Sequence, residues 1–202
     1  MEHIRTQIRI IAGQLRGRKL DCVVFEDLRP TPQMVREALF SILGNAVPER
    51  PFYDVFAGTG ANGVEAISRG ASEAIFLERD PRLAADIDKH LKKFEISNLA
   101  TVAKVDVYRW AERWIPPTVP SNIFLSPPFA DLENRLDEFL ALVRLLMAKV
   151  PPDSTITIQG ETAFPESRLI DPEQWDVRKY GRNMLFVWVK PLAETPGDPA
   201  SA

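Results

Sequence analysis

The 202-residue chain is poor in the residues that build disulfide frameworks and metal centres. It has one cysteine, Cys22, and two histidines, His3 and His90. A single cysteine excludes an internal disulfide and a thiolate cluster, and two histidines argue against a histidine metal site. The chain also lacks an apolar run of the roughly 20 residues that span a bilayer. We therefore expect a soluble protein that uses no metal.

The chain also lacks a strong excess of positive or negative charge, since its net charge is only −3. This value argues against a uniformly basic nucleic-acid binder. Residues 4–20, however, contain no acidic residue and five cations: Arg5, Arg9, Arg16, Arg18 and Lys19. Such a patch can contact phosphates on an acidic protein, or it can protect a strand edge by charge. Without the apolar core of a secretory signal near its start, the chain is expected to be cytoplasmic.

Glycine and proline mark the N-terminal elements. Short apolar stretches separated by Gly13 and Gly17 predict a basic β-ribbon. We expect Thr31 to cap a helix whose first position is Pro32 and which Gly44 ends. The length fits one domain with a small appendage. The expected division is an extension over residues 1–44, a main domain over 45–192 and a disordered tail over 193–202.

From Tyr53 onward, predicted strands and helices alternate. This alternation indicates an α/β fold with a mostly parallel sheet and helices on both faces. One long helix is predicted over Leu132–Lys149. The region after Trp175 has strand character without a helix, so we expect an antiparallel hairpin that turns near Gly181.

The most informative stretch is a short apolar strand that runs directly into a glycine-rich turn and a helix. Gly58, Gly60 and Gly63 form the pattern G-x-G-x-x-G, which lets backbone amides approach a nucleotide-like ligand. Ligands of doubly wound sheets lie beyond the carboxyl ends of the strands. We expect Glu78 to accept from ribose hydroxyls, and Asp106 to contact an adenine amino group or to cap the next helix. The predicted cofactor-binding residues are Asp54, Phe56, Ala57, Gly58, Thr59, Gly60, Glu78, Asp106 and Val107.

The glycine pattern fits a nicotinamide cofactor as well as S-adenosylmethionine (SAM). Three features favour SAM. The carboxylate of Asp54 is placed to reach the methionine ammonium, directly or through water. Asp106 offers an adenine contact, and a proline-rich motif at the fourth predicted strand has no counterpart in a dehydrogenase.

That motif is Ser126-Pro127-Pro128-Phe129. An exocyclic base amino group is a poor nucleophile because its lone pair is delocalised into the ring. An enzyme can accept both N–H hydrogens, so that the lone pair turns toward the methyl group. Two prolines remove competing backbone donors and leave the Pro127 carbonyl available, and Phe129 can stack on an extruded base. Taken alone, the motif is better explained as a rigid strand-to-loop transition with Phe129 in the core.

Over roughly residues 5–190, the chain resembles the bacterial RsmD family. The resemblance is carried by RIIAGQLRGRKL at residues 9–20, LRPT at 28–31, VREALF at 35–40, DVFAGTG at 54–60, EAISRGA at 65–71 and PPF at 127–129. That family uses SAM to methylate N2 of a guanine in small-subunit ribosomal RNA. It implies a class I SAM-dependent methyltransferase fold, with a Rossmann-like seven-stranded sheet and an antiparallel C-terminal strand.

The resemblance also implies site residues and a partner. The catalytic residues would be Ser126, Pro127, Pro128 and Phe129. The RNA-binding residues would be Arg5, Arg9, Arg16, Arg18, Lys19, Arg29, Thr31 and Arg36, although Arg36 could equally serve the cofactor or a local carboxylate. The partner would be ribosomal RNA, within the small subunit or an assembly intermediate, and the protein a metal-free monomer.

The chain departs from the family pattern at Ser126, where the family has Asp. A serine oxygen still accepts a hydrogen bond, but an ionised acceptor forms one about twice as strong. Glu161 is a possible substitute, although a surface carboxylate explains it better. Two alternatives therefore stay open. One is a catalytically weak or inactive SAM- and RNA-binding homologue, and the other is an adenine-N6 methyltransferase of DNA or RNA.

Overall fold

A computed structural model describes residues 4–24 and 30–192. Arg29 and the predicted tail lie outside the described residues. The strands are β1 (Ile4–Arg9), β2 (Lys19–Val24), β3 (Pro51–Val55), β4 (Glu73–Leu77), β5 (Ala100–Ala103), β6 (Asn122–Leu125), β7 (Thr155–Glu161), β8 (Asp176–Tyr180) and β9 (Asn183–Val189). The α-helices are α1 (Gln33–Leu43), α2 (Ala61–Ser68), α3 (Pro81–Lys93), α4 (Val107–Arg113), α5 (Phe129–Asn134) and α6 (Leu136–Lys149).

Seven strands form one sheet in the order β5-β4-β3-β6-β7-β9-β8. Strands β3 to β7 pair in parallel, whereas β9 is antiparallel to both of its neighbours. The predicted parallel sheet and its C-terminal antiparallel hairpin are confirmed. The chain enters at β3, runs outward to β5 and then returns to β6 on the other side of β3. Ligands of such sheets bind at this reversal of strand order.

Helices cover both faces of the sheet, and its central strands are buried on both sides. All five residues of β3 are buried. Helices α4 and α6 pack on one face, with Val55, Leu125 and Phe139 in a shared cluster. The opposite face is covered by α1, α2 and α3. In α3, Leu83, Ile87 and Leu91 are buried at spacings of four residues, which gives that helix its apolar stripe.

The predicted β-ribbon is confirmed, since β1 and β2 pair antiparallel from Ile4 to Arg9. The segment after β1 docks onto α2. The amides of Ile11 and Ala12 donate to the buried carboxylate of Glu65 at 2.7 and 3.0 Å. Gly13 has φ +80°, and a Cβ there would lie 1.7 Å from the Ser68 carbonyl oxygen, so only glycine fits. The ribbon thus shares a hydrophobic cluster with α2 and α3.

Two helix predictions differ from the structure. Pro32 is the N-cap of α1 rather than its first residue, and α1 has no side-chain cap. Thr31 lies one residue before the N-cap, and its hydroxyl donates to Gln159 and accepts from Asn62 instead. Gly44 ends α1 as predicted, with φ 47°. The single helix predicted over residues 132–149 is two helices, because the backbone leaves the helical region at Arg135, where φ is −133°. The break places the Arg135 guanidinium 4.0 Å from the centre of the Tyr108 ring.

Within residues 4–24 and 30–192, no helix has both the length and the apolar character of a membrane span. The same residues contain no cluster of three or more His, Cys, Asp or Glu side chains that could hold a metal ion.

Candidate active site

A cavity of about 400 Å³ lies beyond the carboxyl ends of the central strands. Its wall unites parts of both predicted motifs: Phe56, Gly58, Glu78, Asp106, Val107, Ser126, Pro127, Pro128 and Phe129. These residues come from four strand ends that are far apart in sequence. The volume falls in the range of small-molecule sites. Asp54, Ala57, Thr59 and Gly60 belong to the adjoining strand end and turn, outside the described wall.

The glycine turn has an unusual backbone. Gly58 and Gly60 have positive φ values of 54° and 73°, and so does Phe56, at 64°. A bulky residue in this region costs about 1–3 kcal/mol and persists only where its surroundings hold it. The Phe56 ring packs against Tyr108 at 5.9 Å between centroids. Glycine is needed at position 63 for a different reason, since a Cβ there would lie 2.2 Å from the Phe76 ring. The first two glycines therefore shape the turn, and the third allows α2 to pack on β4.

Glu78 closes the turn from the neighbouring strand. Its carboxylate accepts from the amides of Gly58 and Asp80, both at 2.8 Å. Burial raises the pKa of Glu78, while these two amides oppose the shift. Each carboxylate oxygen can accept a second bond. Glu78 therefore presents a buried, preoriented acceptor to the cavity, where the predicted ribose contact requires one.

Asp106 caps α4, which is one of the two roles predicted for it. Its carboxylate accepts from the amides of Tyr108 and Arg109 at 3.0 and 3.2 Å. It also lines the cavity, next to Val107. Tyr108 is a wall residue that the sequence motifs did not indicate. Its hydroxyl donates to the buried Asp131 at 2.7 Å, and burial raises its pKa. Tyr108 thereby joins the start of α4 to α5.

Asp54 lies beneath the turn and is completely buried. One carboxylate oxygen accepts from the Gly63 amide at 2.9 Å, and the other has no hydrogen-bond partner. Burial raises the pKa of Asp54 to about 7, the Gly63 amide opposes the shift, and negative charge on Glu78 adds to it. A buried oxygen without a donor suits a cationic or N–H group of a ligand, directly or through water.

The free energy of unfolding is expected to fall as pH rises from about 4 to about 7. The unfolded Asp54 loses its proton near pH 4, whereas the folded carboxyl keeps it until about pH 7. The folded state therefore binds the extra proton in this window, and rising pH disfavours it by up to roughly 4 kcal/mol. Urea unfolding at pH 5 and pH 7.5 measures the difference. In Asp54→Asn the decrease should be about 2–3 kcal/mol smaller, and an equal decrease in both proteins would contradict this assignment.

The second motif forms the opposite side of the cavity. The Ser126 amide donates to the Val55 carbonyl at 3.3 Å, which joins the motif to β3. Pro128 is the N-cap of α5. Phe129 is partly exposed in the cavity wall rather than in the core, so the core explanation of the motif does not apply. The Ser126 hydroxyl donates to Gln159 at 3.4 Å.

Strand β7 and the hairpin contribute further wall residues, which belong to neither of the two predicted motifs. These are Gln159, Gly160, Glu161, Arg182 and Asn183. Glu161 had been considered only as a possible substitute acceptor, and it lies in the wall. A signal was available in principle, because the predicted strand β7 ends where the other motif-bearing strands end.

The residues predicted to bind RNA fall into two groups. Arg5, Arg9, Arg16, Arg18 and Lys19 are exposed. Thr31 and Arg36 are buried, with 6% and 3% of their surface exposed. The Arg36 guanidinium donates to the carbonyls of Thr31 and Arg9 at 3.0 and 2.8 Å. An RNA contact does not fit these two positions, because both side chains are buried and bond inside the protein, through the Thr31 hydroxyl and two guanidinium nitrogens of Arg36.

Sheet order, the antiparallel β9 and the glycine turn facing an acidic residue on β4 define the class I SAM-dependent methyltransferase fold. The family model of Conserved hypothetical protein 95 matches residues 8–189. The chain belongs to this family, which is the RsmD family that the motifs resemble.

Two relatives share the name Ribosomal RNA small subunit methyltransferase D. The protein from Escherichia coli K12 is 38% identical over 123 residues, which span 61% of this chain and 61% of that protein. The protein from Haemophilus influenzae is 34% identical over 176 residues, 86% of this chain and 87% of its own length.

Solved structures agree with this assignment. The structure of yhhF from Escherichia coli superposes with a TM-score of 0.74 at 28% identity, and covers 93% of this chain and 100% of that one. The 16S rRNA N2 G1207 methyltransferase RsmC from Thermus thermophilus, in complex with AdoMet and guanosine, has a TM-score of 0.70 at 21% identity. The match covers 94% of this chain and 51% of the RsmC chain. This last likeness concerns the fold.

Proposed function

We propose that the protein is a SAM-dependent methyltransferase that acts on N2 of a guanine in small-subunit ribosomal RNA. One observation carries the proposal: the predicted cofactor motif and the Ser-Pro-Pro-Phe motif line one cavity. Methyl transfer needs a donor and an acceptor site in direct contact, and neither motif alone indicates this. The names of the two relatives support ribosomal RNA as the substrate.

The residues around the glycine turn and at the neighbouring strand ends fit SAM. Glu78 offers carboxylate oxygens for the ribose hydroxyls, and Asp106 and Val107 line the region expected for adenine. The unpaired buried oxygen of Asp54 suits the methionine ammonium, directly or through water. When bound, SAM supplies a methyl group on a positively charged sulfur, which is readily attacked by a nucleophile.

The acceptor side prepares the amino group for that attack. The Ser126 hydroxyl oxygen and the Pro127 carbonyl would accept its two N–H hydrogens, which would turn the nitrogen lone pair toward the methyl group. Neither proline has an N–H that would compete. Phe129 offers a face on which the base can stack. As the new C–N bond forms, the bond between the sulfur and the methyl group would break, and the amino nitrogen would release one proton to solvent.

The exposed cations of the β-ribbon provide an RNA-contacting surface. One small element, anchored to α2 through Glu65 and Ser68, carries these cations: Arg5, Arg9, Arg16, Arg18 and Lys19. Cation–phosphate contacts of this kind weaken steeply with salt. The ribbon would hold the RNA while the target base enters the cavity.

The test is transfer of labelled methyl from SAM to small ribosomal subunits isolated from cells that lack this protein. We expect incorporation, with N2-methylguanine in the nucleoside digest. Ser126→Ala should lower the transfer rate by about 100-fold, by analogy with loss of one preorganised hydrogen bond in other enzymes, and should leave the SAM affinity unchanged. An equal rate in Ser126→Ala would contradict the role of Ser126. A thermal shift with NAD but not with SAM would contradict the cofactor.

The serine at position 126 favours a second candidate, a SAM- and RNA-binding homologue that transfers no methyl. A neutral oxygen accepts more weakly than the carboxylate of the family pattern. Intact SAM binding without incorporation into any ribosomal substrate would support this candidate. Methylated adenine in the digest would instead indicate an adenine-N6 methyltransferase.

A further inference from the structure

Gln159 lies beside Ser126 because β6 and β7 are parallel neighbours. Leu125 pairs with Ile158, so the next residues on the two strands, Ser126 and Gln159, meet at the cavity wall. The Ser126 hydroxyl donates to the Gln159 side-chain carbonyl oxygen, Oε1, at 3.4 Å. A serine hydroxyl has one hydrogen and two lone pairs. Because this bond uses the hydrogen, only the lone pairs of the Ser126 oxygen remain for a further partner.

The orientation of the Gln159 amide is held by three more residues. The Thr31 hydroxyl donates to the same Oε1 at 2.8 Å, and Nε2 of Gln159 donates to the Asn183 side chain at 3.1 Å. Asn62 in turn donates to the Thr31 hydroxyl oxygen at 3.2 Å. A carbonyl oxygen accepts two hydrogen bonds, so Thr31 and Ser126 can share Oε1. Both sides of the amide are thus engaged, which opposes its rotation.

We propose that Gln159 is a positioning residue, which fixes the Ser126 hydroxyl as an acceptor toward the amino group of the target base. The inference rests on the proposed function. An unfixed hydroxyl can turn its hydrogen toward the amino nitrogen and occupy the lone pair that must attack. An ionised aspartate carries no hydrogen, so the Asp of the family pattern would need no such partner. Gln159 removes the unproductive rotamer that serine introduces.

A double-mutant cycle tests this role by single-turnover methyl transfer. The variants are Ser126→Ala, Gln159→Met and the double variant. Thr157→Val is the matched control, because Thr157 is buried on the same face of β7 and its hydroxyl has no hydrogen-bond partner. We expect Gln159→Met to lower the rate about 10-fold, as for one lost hydrogen bond, with unchanged SAM affinity. In the Ser126→Ala background the same substitution should have no further effect, and the control should stay near the wild-type rate.

A further loss of about 10-fold in the Ser126→Ala background would overturn the inference, because Gln159 would then act independently of Ser126. A second measurement does not need activity. The Gln159 side-chain amide resonance, identified by its loss in Gln159→Met, should shift in Ser126→Ala and not in Thr157→Val. If the resonance does not shift in Ser126→Ala, the inference is overturned, whether or not the wild-type protein transfers methyl groups. A wild-type protein that transfers no methyl overturns the proposed function, and the resonance then decides the contact by itself.

Discussion

Glu78→Ala should weaken SAM binding by about 100-fold. The carboxylate is the ionised acceptor expected for the ribose hydroxyls, and it also holds the glycine turn through the amides of Gly58 and Asp80. Hydrogen bonds to charged groups contribute about 1.5–3 kcal/mol each, and 1.4 kcal/mol is a tenfold change in affinity. Loss of one or two such bonds gives the expected factor. Isothermal titration calorimetry measures it.

Two control variants separate the charge from the general effect of substitution. Glu78→Gln keeps the shape and one acceptor oxygen, and we expect an intermediate loss of about 10-fold. Glu73→Ala alters an exposed carboxylate on the same strand, β4, and should leave the affinity unchanged. If Glu78→Ala binds SAM within twofold of the wild-type protein, the cofactor does not occupy this end of the cavity.

Glu65→Ala is expected to lower the free energy of unfolding by about 3–5 kcal/mol, the usual cost of breaking a buried ion pair. The Glu65 side chain is fully buried and pairs with Arg69 at 2.7 Å. It also accepts from the amides of Ile11 and Ala12. Its removal leaves these donors without an acceptor. For a protein of this size, Tm should fall by roughly 6–20 °C, as measured by calorimetry.

The same variant should loosen the β-ribbon, because Glu65 and Ser68 are its two polar anchors to α2. Limited trypsin digestion should cleave after Arg16 and Arg18 faster than in the wild-type protein. Glu37→Ala removes an exposed carboxylate on α1 and should change stability by less than about 0.5 kcal/mol. A Tm within 2 °C of the wild-type value in Glu65→Ala would show that Glu65 contributes little to holding the ribbon.

Much of the fold could be predicted because its signals are local. Alternating strand and helix patterns indicate a parallel sheet wherever they occur, and the turns at Gly44 and Gly181 follow from the backbone freedom of glycine. The turn at Gly58 and Gly60 was recognisable for the same reason. The helix break at Arg135 was not, since residues 132–149 have an apolar pattern compatible with one continuous helix.

The roles of single polar residues were harder to predict. Threonine is a residue type that often caps helices, and arginine is one that often contacts RNA. Thr31 and Arg36 are nevertheless both buried and hydrogen-bonded inside the protein. Glu65 could be taken for a surface residue of α2, although it anchors the ribbon. Side-chain type restricts which bonds a residue can form, but burial decides which of them it does form.

The sequence by itself determined the α/β class, the glycine turn, the acidic strand ends and the acceptor motif, because each depends on neighbouring residues. Only the tertiary structure decided which of these groups share a cavity, and it added Tyr108, Gln159 and Asn183 to the wall. Thr31 and Gln159 are 128 positions apart along the chain and still form a hydrogen bond. Such contacts depend on strand order and register, which arise from packing the whole chain and leave no local pattern.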